Sequence, residues 1–150
     1  MKHSTDLVVE ADSAAVIAVL ADLSTYPLWN DLVTSAVTTE SHVDDRGPAW
    51  STTLRAQIGP LARSKQLRFV QSHLDTAATK KSVRFVRREI DERHHADWIM
   101  EAAVSEAGAS SKVTLSLAYD GGLWVPALGA VLSGAIDRAT SRLPTYLETL

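Results

Sequence analysis

The densest group of titratable side chains is Asp91-Glu92-Arg93-His94-His95-Ala96-Asp97. A bound metal ion needs three or four ligands that converge on one point. On a strand, neighbouring residues point to opposite faces, so His94 and His95 cannot both reach one ion. His95 and Asp97 share a face, which leaves two ligands where a site wants three or four. The segment reads as a solvated turn running into a strand, and no metal site is expected. Nucleophilic catalysis has no better footing. The sequence has no cysteine and no Gly-x-Ser-x-Gly elbow, so it offers neither a Cys–His pair nor a hydrolase nucleophile turn. It also lacks a Gly-x-Gly-x-x-Gly loop and a phosphate-binding P-loop, and no cofactor is expected.

What remains is the chemistry of an apolar pocket. The large aromatics are Trp29, Trp50, Trp98 and Trp124, with Phe69 and Phe85. An indole covers a large apolar area and keeps one hydrogen-bond donor, which suits a cavity wall and a plain core alike. Trp124 stands beside Pro126 at the entrance to the last helix, where a pocket mouth would open. Cyclase-type acid–base chemistry asks only for a few polar groups with shifted pKa values in such a pocket. If Phe85 points inward, Arg87 shares its face; if Trp98 points inward, so does His94. Those two are the polar candidates, and no catalytic residue is assigned.

Elements that would position these side chains follow in a legible order. Asp6 to Glu10 reads as a first strand. Asp12 and Ser13 are N-cap types ahead of a helix over 14–20, where Val16, Val19 and Leu20 share a face. A second short helix begins at Ser24 and ends near Trp29-Asn30. From Val33 to Asp120 no helical period is sustained. Strands are expected over 33–43, 50–58, 66–74, 82–90, 95–104 and 112–119, broken by turns at Asp44 to Pro48, at Gly59-Pro60 and at Glu106 to Ala109. In the second of these the even positions are the more apolar. Strands joined by short connections imply an antiparallel meander. Beyond Asp120-Gly121-Gly122, Leu128, Leu132, Ala135, Ile136, Ala139, Leu143 and Leu147 recur as one helical face. Pro144 inside that helix predicts a kink or break. Gly129 and Gly134 each cost roughly 0.5–1 kcal/mol in a helix, which predicts close approach of the sheet or room for a ligand, with a dimer or membrane-surface contact ranked below both. The architecture is α+β.

Bulk properties narrow the classes further. A chain of 150 residues fits one domain, 1–150. Lack of cysteine excludes disulfides, zinc ribbons and iron–sulfur sites. The formal net charge of −3 argues against a nucleic-acid surface, although Arg84, Arg87, Arg88 and Arg93 lie close in sequence. The start, Met1 to Asp6, lacks the apolar segment of a signal peptide. The longest uncharged stretch, Gly121 to Ile136, falls short of the ~20 apolar residues of a membrane span. A cytoplasmic protein is expected.

The run Val16-Ile17-Ala18-Val19-Leu20-Ala21-Asp22-Leu23, followed by Tyr26-Pro27-Leu28-Trp29-Asn30, resembles the START-like superfamily, also called the helix-grip or birch-pollen-allergen fold. The Gly-rich turn and final amphipathic helix are similar too, and the resemblance covers nearly the whole chain. Within the superfamily it is similar to the bacterial polyketide cyclase/dehydrase and lipid-transport group. The resemblance implies a curved antiparallel sheet wrapped around a long C-terminal helix, with two short helices after the first strand. It implies carriers of sterols and lipids, aromatase/cyclases or ribosome-targeting toxins, and no catalytic residue common to all. Pro144 departs from the family pattern.

A sheet curled around one helix leaves a gap, and that gap becomes a pocket. The expected function is binding or transport of an apolar small molecule such as a lipid, a sterol or a polyketide-like compound. The alternatives are a cyclase/dehydratase using the same cavity and a protein-interaction module. The expected lining is Trp29, Trp50, Leu54, Phe69, Phe85, Arg87, His94, Trp98, Leu115, Leu117, Trp124, Leu128, Leu132 and Ile136. The partner is the ligand itself, with no nucleic acid, no membrane span, and a monomer or homodimer as the assembly.

Overall fold

A computed structural model describes residues 1–121 and 125–150, leaving aside the side chains of 125 and 126. Seven strands form one antiparallel sheet: β1 (Lys2–Val9), β2 (Val33–Thr39), β3 (Ala49–Ile58), β4 (Leu61–Asp75), β5 (Lys80–Arg87), β6 (Trp98–Ala107) and β7 (Ser110–Tyr119). Their order is β1-β7-β6-β5-β4-β3-β2. The chain thus meanders from β2 to β7, while β1 closes the far edge by pairing with β7. Two helical segments carry it from one edge to the other: α1 (Ser13–Leu20) and a 3-10 helix (Leu23–Leu28). The long helix α2 (Val125–Glu148) ends the chain against β1, β3 and β7.

Helix α1 starts where Asp12 accepts a hydrogen bond from the Ala14 amide at 3.2 Å. Val16, Ile17, Val19 and Leu20 are all buried, so it is embedded more fully than a single apolar stripe implies. The Gln71 side-chain amide of β4 donates to the Ala21 carbonyl at 3.0 Å and fixes its end. In the next segment, Tyr26 donates its hydroxyl to the Leu20 carbonyl at 2.9 Å. Its ring lies 4.4 Å from Trp29 and 5.8 Å from Phe85, edge-on to the latter. Burial, with the Asp22 charge second, pushes the Tyr26 phenol above its ordinary value. The Tyr-Pro-Leu-Trp-Asn run is a structural anchor, which is why it marks a fold rather than a chemistry.

Several boundaries differ from the sequence reading. β1 begins at Lys2, because alternation with Lys2, Ser4 and Asp6 on the exposed face hides a paired strand. β4 begins at Leu61 instead of Gln66. β5 stops at Arg87, where the Glu89 carboxylate, not a main-chain carbonyl, accepts the Arg68 amide at 3.1 Å. β6 begins at Trp98, not His95. Pro144 does not break α2. It removes one hydrogen bond close to the C-terminal end, and the packing of Leu143, Tyr146 and Leu147 on the core holds the last turns in place.

Candidate functional site

The register of the β3–β4 hairpin shapes the site. β2 pairs with β3 only as far as Leu54, and β5 pairs with β4 only from Phe69 onward. Residues 55–58 and 61–64 therefore have each other as their strand partners alone, as a two-stranded arm beyond the sheet. Gly59, at φ +60°, makes the tight reversal at its tip, a conformation that favours glycine. Directly opposed residues of an antiparallel pair point to the same side. Trp50 faces Phe69, Thr52 faces Leu67, Leu54 faces Lys65, Ala56 faces Arg63 and Ile58 faces Leu61. The inner face thus begins as buried core and runs out along the arm to Lys65, Arg63 and Leu61.

Beneath the arm lies a cavity of about 320 Å³. Leu54, Ala56, Ile58 and Leu61 form its roof, Leu32 and the Trp98–Tyr119 pair its sides, and Leu128 and Leu132 of α2 its floor. Arg63, Ser64 and Lys65 complete the lining from exposed positions on the arm. Trp98 and Tyr119 sit opposite each other in the β6–β7 register, with rings 4.2 Å apart and tilted by 39°. A Cβ on Gly121 would fall 1.6 Å from the Tyr119 hydroxyl oxygen, so only glycine lets that phenol lie over the chain. The Trp98 indole N–H is buried with no acceptor among the described residues. Neither Arg63 nor Lys65 has a carboxylate within 4.0 Å among the described residues.

Of the residues expected to line a pocket, Leu54, Trp98, Leu128 and Leu132 stand on the cavity wall. Trp50 and Phe69 lie on the inner face but are closed into the core, as is Phe85, 5.5 Å from Trp50 and edge-on to it. Trp29, Leu115, Leu117 and Ile136 are likewise buried in the core, away from the cavity. Arg87 does point inward with Phe85 at the Trp98 end of the sheet, yet it does not line the cavity: its Nε donates to Glu89 at 3.0 Å, and its Nη1 is buried with no partner among the described residues. His94 is exposed, because the segment ahead of Trp98 is irregular and strand parity does not extend to it. For the same reason His95 bonds back to Asp91 at 2.9 Å, and that contact holds the Asp91 carboxyl below its ordinary value. Trp124 lies outside the described residues.

Sequence reasoning missed Leu32, Ala56, Ile58, Leu61, Arg63, Ser64, Lys65 and Tyr119. A signal for most of them was present. The alternation Leu54-Ala56-Ile58, folded back at Gly59-Pro60, places Leu61, Arg63 and Lys65 opposite those residues. The polar run Arg63-Ser64-Lys65 disguised that stretch as a turn.

Solved structures with this arrangement span nearly the whole chain. A START superfamily protein from Mycobacterium smegmatis superposes with a TM-score of 0.69 at 18% identity, over 99% of this chain and 97% of that one. The chain has the START-like helix-grip fold. The same fold is seen in human StAR-related lipid transfer protein 5, with a TM-score of 0.79 at 10% identity, covering 99% of this chain and 76% of that one. Ginseng major latex-like protein 151 from Panax ginseng gives 0.69 at 14%, covering 97% and 96%. No family model matches the sequence, and no curated protein matches it. At these identities the helix-grip likeness concerns architecture, so the cavity's chemistry has to be argued from its own residues.

Proposed function

We propose that this helix-grip protein binds and carries an apolar small molecule, such as a lipid, a sterol or a polyketide-like compound, in the cavity beneath the β3–β4 arm. The observation that carries the reading is a space of about 320 Å³ walled by Leu32, Leu54, Ile58, Leu61, Leu128, Leu132 and Trp98. That volume falls within the ~300–1,000 Å³ typical of ligand pockets. A human lipid transfer protein is built on the same fold, which supports the class of cargo. Among the described residues no helix is long and apolar enough to cross a membrane.

A cyclase or dehydratase would need polar side chains converging on a reacting atom inside the cavity. Here the charged lining residues stand at exposed positions on the arm, which favours carriage over chemistry. An interaction role through the arginine cluster is less favoured. Arg84 pairs with Glu101 at 3.3 Å and Arg87 with Glu89 at 3.0 Å. Arg46, Arg84 and Arg88 line a second pocket, of about 560 Å³, together with Asp44 and Glu101, so its charge is partly compensated.

Comparison of the native and denatured masses of the purified protein tests the proposal, with organic extraction to identify what is released. A co-purifying apolar compound is expected. A clean apo mass, joined with no thermal stabilisation by any apolar compound in a broad panel, would overturn the reading.

A further inference from the structure

The arm turns two cations toward an apolar space. Lys65 opposes Leu54 and Arg63 opposes Ala56, so both side chains leave the sheet on the face that roofs the cavity. That face belongs to hydrocarbon on either side: Leu67 and Phe69 lie further in and Leu61 further out. Elsewhere the protein pairs those cations whose side chains are buried. Arg68 meets Asp45 at 2.5 Å, Arg87 meets Glu89 at 3.0 Å, and Lys81 lies 3.7 Å from Glu106. Arg63 and Lys65 have no such carboxylate among the described residues. Two unneutralised cations at the rim of an apolar pocket raise the local concentration of anions and favour an anionic group placed there.

We infer that the cavity takes an amphipathic anion, its apolar body against Leu54, Leu128, Leu132 and Trp98 and its carboxylate or phosphate end between Arg63 and Lys65. This rests on the carrier reading and narrows it to one ligand class. The apolar wall supplies affinity, and the rim cations supply selection for a charged end over an uncharged end of the same length. Because the arm is exposed, that selection is screened by salt.

Calorimetric titration of decanoate, decyl phosphate and 1-decanol at low ionic strength tests the inference on the wild-type chain, on Arg63→Gln/Lys65→Gln and on Lys80→Gln/Arg93→Gln. The last removes the same net charge at exposed positions away from the cavity. Wild type should bind at least one of the anions about tenfold more tightly than the alcohol. Which anion shows the preference tells carboxylate from phosphate. The preference should vanish in Arg63→Gln/Lys65→Gln, with 1-decanol affinity unchanged, and should survive in Lys80→Gln/Arg93→Gln. Binding of 1-decanol with no preference for either anion, or a preference that persists without Arg63 and Lys65, would overturn the inference and leave the carrier reading standing. Failure of all three probes to bind would overturn both for alkyl ligands.

Discussion

At the scale of single residues, the chain's polar chemistry mostly serves architecture. Arg68 is the clearest case. Its guanidinium donates to both oxygens of Asp45, to the Arg88 carbonyl at 3.0 Å and to the Glu40 carbonyl at 3.0 Å. One side chain thereby ties the 40–48 loop to the middle of β4 and the end of β5. Those hydrogen bonds hold the Asp45 carboxyl below its ordinary value of 3.8. A carboxyl depressed on folding stabilises fully above its unfolded pKa and loses that contribution as pH falls through the folded one. Asp45→Asn should therefore cost about 1.5–3 kcal/mol at neutral pH. The gap from wild type should close as the pH drops below 3.8. Urea denaturation of both proteins across the acid range checks this, and a pH-independent gap would mean that packing, not charge, is what Asp45 supplies.

Among the elements, α2 is the grip. Its outer side is held by polar contacts: His3 meets Asp137 at 2.8 Å, Arg138 meets Asp31 at 2.9 Å, and Arg142 bonds both Asp31 and the Leu28 carbonyl. Its early turns floor the cavity through Leu128 and Leu132. The two helix glycines invited explanation as a close approach to the sheet or as space for ligand. Neither fits their surroundings. A Cβ on Gly129 would meet only Met1, at 3.7 Å, an ordinary contact, and one on Gly134 would meet the tip of Arg138 at 3.3 Å. Gly129→Ala should consequently stabilise the protein by about 0.5–1 kcal/mol, the usual helix gain over glycine. A raised midpoint in thermal or denaturant unfolding is the expected result, and a lowered one would point to a backbone freedom at 129 that the packing does not require.

For the whole molecule, function reduces to an internal space that folding leaves unfilled. A ligand that binds only the folded state stabilises it by mass action, by about 2.7 kcal/mol at a hundred times its dissociation constant. For a chain of this length that is a rise of roughly 5–10 °C in melting temperature. Ala56 lies in the roof of the cavity, half-buried between Leu54 and Ile58. Ala56→Trp should fill the space, keep the unliganded melting temperature near that of wild type and abolish the ligand-induced rise. A retained rise would place the ligand somewhere else.

Element order, the antiparallel meander and the single C-terminal helix were all determined by the sequence, because period and turn chemistry are local properties. So was the buried face of α2, from Leu128 through Leu132 and Ile136 to Leu143. Which aromatics face a cavity and which fill a core was not. Trp50, Phe69, Phe85 and Trp98 share one inner surface, yet only Trp98 borders empty space. That distinction depends on where the 3-10 helix and α2 come to rest against the sheet, a long-range packing result with no local signature. The arm was hidden for a related reason. Its charged inner face breaks the apolar alternation that identifies a strand, and only its pairing with β3 shows that Arg63 and Lys65 look into the pocket. Local periodicity specifies what each segment becomes, and tertiary contact alone decides where the segments fail to meet.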